Sequence, residues 1–130
     1  MDILKKLILF LVPLVLFAHI IGLQELIETL FPLLLHRSPI KIYTIPRYYY
    51  LFDDNETFLL VKECNESDLV FGDINCSKPT FGLSYQFYHS HPNVIGAFYY
   101  RKGRPQLIIK LQSYKKYFGP LSPELKRFAQ

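Results

Sequence analysis

The chain has no tryptophan, one methionine, two cysteines and six glycines among its 130 residues. Two cysteines cannot supply a CxxC pair with a matching second half, so a finger-type zinc site is excluded. No Gly-x-Ser-x-Gly elbow occurs and neither cysteine sits in a recognisable catalytic setting, which leaves nucleophilic catalysis without support. No glycine-rich phosphate cradle accompanies the basic residues. Repeats and low-complexity tracts are also missing. The basic excess is small: the net charge is +4, and residues 1–18 account for Lys5, Lys6 and Asp2, leaving +3. That is not the clustered excess of a nucleic-acid binder, and no nucleic-acid partner is expected. What the chain does have is apolar surface: half of its residues are hydrophobic and 16% aromatic. This is ample to offset the entropy of ordering, and the length fits one domain.

The apolar residues are unevenly spread. Lys5 and Lys6 precede an uninterrupted apolar run from Leu7 to Phe17, and Ala18 follows. Lysines held on the cytoplasmic side while a greasy run enters the translocon describe a signal peptide. The expected division is a leader over 1–18 and a small domain over 19–130. Leu16 is bulkier than a small-x-small cleavage site wants, so retention as an inner-membrane anchor is the rival. The run Leu7 to Leu23, interrupted by His19, sits at the lower limit for crossing a bilayer. A buried cytosolic helix fits less well, because residues 7–18 have no polar face.

Three acceptor tripeptides for N-glycosylation lie close together: Asn55-Glu56-Thr57, Asn65-Glu66-Ser67 and Asn75-Cys76-Ser77. Each asparagine has an acid two residues earlier, Asp53, Glu63 and Asp73. This extended pattern resembles the acceptor of the Campylobacter-type bacterial oligosaccharyltransferase, which implies a periplasmic glycoprotein. The ordinary alternative is that Asn, Asp and Ser mark turns. Cys64 and Cys76 read most simply as one disulfide of an exported protein, with two buried thiols as the alternative. A strand over residues 69–72 separates them, so the bridge requires the flanking loops to fold back along one side of it.

Residues 20–35 carry apolar positions at intervals of three and four, with Gln24, Glu25 and Glu28 opposite, and read as an amphipathic helix that Pro32 ends or kinks. Four short β-prone runs follow at 40–45, 58–62, 68–73 and 80–85. Residues 84–92 read as a short helix or loop. Residues 94–100 and 106–111 flank a hairpin tip in which Gly103 supplies positive φ. Helical signals close the chain at 112–118 and again after Ser122, with Pro123 in the first turn. The expected fold is a small single-domain α/β (or α+β) sheet with flanking helices and a C-terminal hairpin followed by helix.

Asn93-Val94-Ile95-Gly96-Ala97-Phe98, then Gly103 to Ile109, then Leu121-Ser122-Pro123-Glu124-Leu125 resemble the closing third of YfiR-like periplasmic proteins. They also look like small exported bacterial proteins that end in a Gly-Ala-Phe…Lys-Gly-Arg-Pro-Gln segment. The resemblance covers a quarter to a third of the chain. It implies a regulator that binds the periplasmic part of an inner-membrane enzyme.

Candidate sites each have a plainer explanation. His89 and His91 in an extended segment would share one face and could share a metal, but no further ligand is near in sequence, and a solvated loop pair is preferred. No cofactor is expected. Arg101, Lys102 and Arg104 can dock an anion or an acidic partner, or simply keep a hairpin tip soluble. Tyrosines recur at 48–50, at 85 and 88, and at 99–100, which suits a partner-binding face or ordinary strand surface. The function expected is a non-enzymatic, periplasmic, N-glycosylated binding or regulatory module contacting another envelope or inner-membrane protein. The alternatives are an accessory subunit anchored through residues 1–35, and a small-ligand or metal-binding periplasmic protein.

Overall fold

A computed structural model describes residues 14–130 of the chain, with side-chain surroundings from residue 22 onward. The paired lysines and the first half of the apolar run lie outside the described residues. Helix α1 (Leu14–Leu35) is broken at Gly22, whose φ of 77° no helix interior accommodates. From Leu23 onward the helix presents Leu26, Ile27, Leu30, Phe31 and Leu34 as one buried stripe. Pro32 neither ends nor delays it: the helix closes three residues later, where the His36 amide bonds to the Pro32 carbonyl. The stripe is buried in the core against the sheet. Among the described residues no helix is long and apolar enough to cross a membrane.

The strands are β1 (Ile40–Tyr43), β2 (Phe58–Leu60), β3 (Leu69–Phe71), β4 (Thr80–Gly82), β5 (Val94–Arg101) and β6 (Arg104–Ile109). They form one sheet in the order β2-β1-β3-β4-β5-β6, parallel throughout except for the antiparallel β5–β6 pair. The domain is therefore α/β. The first four strands are shorter than the β-prone runs because a short parallel strand ends where its backbone turns into the next connection. Phe71 and Phe81 face α1, and the Phe31 ring sits among Phe52, Phe58, Phe71 and Phe81 at centroid distances of 5.1 to 6.4 Å. Gly96 is required where it stands, since a Cβ there would lie 2.8 Å from the Ile108 carbonyl oxygen.

Helix α2 (Tyr85–Ser90) crosses from β4 to β5 on the opposite face, where Tyr88 packs with Val94, Ala97 and Ile108. Its N-cap is Ser84, whose hydroxyl accepts the Phe87 amide at 3.2 Å. Helix α3 (Leu111–Phe118) ends at Gly119, with φ 81°. The last helical signal, Pro123–Phe128, is a 3₁₀ segment that lays Leu125 and Phe128 onto the core. Another 3₁₀ segment, Pro46–Leu51, has no counterpart among the expected elements.

Candidate binding face

In an open parallel sheet, side chains beyond the carboxyl ends of the strands are free of the ladder and surround the natural binding crevice. Here that edge is built from the segments after β1, β3 and β4 and from the far end of β5. Its floor is tied together internally. The Thr44 hydroxyl donates to the Phe71 carbonyl at 2.7 Å, joining the ends of β1 and β3. The Asp73 carboxylate accepts the Leu83 amide at 2.7 Å, joining β3 to β4.

The hairpin rises above this floor. Gly82 pairs with Ala97, and β5 continues for four more residues, about 13 Å at strand rise. Lys102 and Gly103 both have positive φ, 52° and 77°, as a two-residue turn of primed type demands. The turn brings Arg101 opposite Arg104 at the tip. Arg101, Lys102 and Arg104 are all exposed, and none of their side chains makes a hydrogen bond or ion pair among the described residues. The structure thus brings these three predicted residues together.

Each aromatic cluster divides in the same way. A 3₁₀ turn points successive side chains about 120° apart, so only one of three neighbours faces inward. Tyr48 is that one, its ring edge-on to Phe71 at 5.4 Å, while Tyr49 and Tyr50 are exposed. In α2, Tyr88 is buried and Tyr85 is exposed. In β5, Phe98 and Tyr100 share one face, but Phe98 is covered by the core while Tyr100, beyond the last β4 pairing at Ala97, is 60% exposed. Exposed large hydrophobic residues therefore concentrate at this edge: Ile45, Tyr49, Tyr50, Tyr85 and Tyr100, with Leu59 standing elsewhere. Tyr85, Tyr99, Tyr100 and Arg101 line an open hollow of about 350 Å³. The Tyr85 and Tyr99 rings are 5.8 Å apart. Exposed Arg47 adds a further cation at the β1 end, three strand spacings or about 14 Å from β5. A larger hollow, about 550 Å³, lies beside Lys41, Leu59, Asp68 and Lys78. It carries both signs of charge, and Asp68 is already occupied by Arg37 at 2.6 Å and the Lys41 amide at 2.9 Å.

The histidines do not converge. His89 stands in the last turn of α2 while His91 is its C-cap, so the two do not share the face of one extended segment. His89 stacks on Tyr85 at 5.8 Å, and His91 stacks on Phe87 at 3.9 Å. Among the described residues no three His, Cys, Asp or Glu side chains gather where a metal could sit.

Cys64 and Cys76 are bonded, with Cα atoms 6.6 Å apart. The loops around β3 do fold back along one side: the segment after β3 returns to the amino end of β4, where the Cys76 carbonyl accepts the Asn93 side-chain amide at 3.0 Å. Asn65 and Asn75 are exposed, and Asn55 is half-buried.

Lys110 was not singled out by any motif. Its ammonium donates to the carbonyls of Tyr88 at 2.5 Å and His91 at 3.3 Å and lies 4.7 Å from the Tyr88 ring centre. It closes the C-terminal end of α2, where a cation is favoured. Burial lowers its pKa below the ordinary lysine value. Burial also raises the Tyr88 pKa, helped by Tyr99 and Tyr85. A lysine 20 residues beyond the helix it caps leaves no local trace in the sequence.

No family model matches this chain, and no curated protein or solved structure matches it either.

Proposed function

We propose that this chain is an exported binding module that recognises an acidic segment of another envelope protein at the carboxyl edge of its sheet. The observation that carries the reading is the gathering of exposed tyrosines and unpartnered cations on that one edge. Tyrosine supplies contact area with a polar tip at low entropic cost, and arginine reads carboxylates through paired hydrogen bonds. The disulfide supports the exported half, because such bonds persist in oxidising compartments. The likeness of residues 93–125 to YfiR-like regulators points the same way, toward an inner-membrane protein as partner. The function is recognition without chemistry, and the periplasm is where it takes place.

The test is recovery of one stoichiometric partner from the envelope fraction in mild detergent. A Tyr85→Ser/Tyr100→Ser/Arg101→Glu variant is expected to lose that partner at least about tenfold, the scale of a removed hot spot. Lys116→Glu, in the hollow at the opposite edge beside Pro92 and Lys110, is expected to retain it. Equal recovery by both variants contradicts the reading.

A further inference from the structure

We propose that Asn75 is the N-glycosylation site used on the folded domain, in preference to Asn55 and Asn65. The inference rests on the exported reading above. An acceptor is defined by an asparagine amide and a hydroxyl two residues later, so both groups must be reachable. The three sequons differ on this point.

At the first, the Asn55 side-chain oxygen accepts the Thr57 amide at 2.8 Å. The Thr57 carbonyl in turn accepts the Ile40 amide at 2.7 Å, fixing this sequon to the start of the β1–β2 pair. At the second, Asn65 is exposed but Ser67 is only 3% exposed. The Ser67 hydroxyl donates to the Cys64 carbonyl at 2.7 Å. The hydroxyl that defines the acceptor is therefore turned inward. At the third, Asn75 and Ser77 are both exposed, and neither side chain makes a hydrogen bond among the described residues. The residue between them is anchored: Asn93 holds the Cys76 carbonyl, and the Tyr117 hydroxyl donates to Asn93 at 2.7 Å. The backbone is fixed while the amide and the hydroxyl project.

The disulfide sharpens the choice. Asn65 follows Cys64 and Asn75 precedes Cys76, so the bridge holds the two asparagine Cα atoms within about 14 Å. A glycan on one crowds transfer to the other. Asn75 shares a small hollow with Cys76, Phe87, His91 and Asn93.

The transfer takes its sugar from a glycosyl diphosphate. The Asn75 Nδ2 forms a bond to the anomeric carbon, and the bond from that carbon to the diphosphate oxygen breaks. The diphosphate leaves with the electron pair, and the amide gives up one proton.

The experiment is glycopeptide mapping, with disulfide status read in the same digest, on protein from its native envelope fraction. Wild type is compared with Asn55→Gln, Asn65→Gln, Asn75→Gln and Ser77→Ala. The expected result is one glycan at Asn75, absent from Asn75→Gln and Ser77→Ala and retained by the other two variants. A glycan at Asn55 or Asn65 with Asn75 bare overturns the proposal, as does equal occupancy of all three. A bonded but unglycosylated chain overturns it while leaving export intact. Free thiols together with no glycan overturn both.

Discussion

Tyr114 lies fully buried under α1, and its hydroxyl donates to the Leu34 carbonyl near the end of that helix. Burial raises its pKa above the ordinary 10.0. The folded chain therefore keeps a proton that the unfolded chain releases above pH 10.0, and stability falls as pH climbs through that window. Tyr88 acts in the same sense. Lys110 acts oppositely: its lowered pKa means the unfolded chain binds the extra proton, so stability rises with pH in the window below 10.5. Tyr114→Phe is expected to flatten the alkaline decline measured by denaturant unfolding between pH 9 and 11. At neutral pH the same variant costs about 1–3 kcal/mol, because the Leu34 carbonyl loses its donor. An unchanged alkaline slope contradicts this account. Individual residues were the least legible level in the sequence. Arg101, Lys102 and Arg104 could be placed on one tip because hairpin register is local. Tyr114 and Lys110 could not be read, because their partners lie 80 and 22 residues away.

The elements were more legible, for a physical reason. Strands β1 to β4 each lie within an apolar run bounded by turn formers, β5 and β6 extend into the basic tip, and Gly103 announces a positive φ that only a few residues tolerate. The segment Pro46–Leu51 escaped because three consecutive tyrosines carry neither a helical nor a strand period. Its position matters, since it carries the exposed Tyr49 and Tyr50. The reach of Pro32 was misjudged because a proline in the last turn removes one amide from a helix that already has most of its bonds. At this scale the disulfide makes the clearest prediction. It ties the loops on either side of β3, and closing a loop of this size stabilises the fold by about 3 kcal/mol through the unfolded chain. Cys64→Ser/Cys76→Ser, or reduction of the wild type, is expected to lower the unfolding free energy by about that much in denaturant titration. A change within about 0.5 kcal/mol contradicts the assignment of the bridge as a staple.

For the molecule as a whole, the sheet and helices were foreseeable but their parallel order was not. Strand pairing is decided by contacts distant in sequence, and short apolar runs fit either direction. Parallel order is what gives the sheet a single carboxyl edge and places three separate aromatic and basic segments along it. A small domain buries a modest fraction of its surface, so a covalent staple suits its size. The reading that unites these features is a chain completed outside the reducing compartment, which then offers one edge to a partner. The non-reduced intact mass of the native chain tests this most directly. Loss of residues 1–18 and a mass two hydrogens below the dithiol form are expected, before any glycan is added. Recovery of all 130 residues with both thiols free contradicts it.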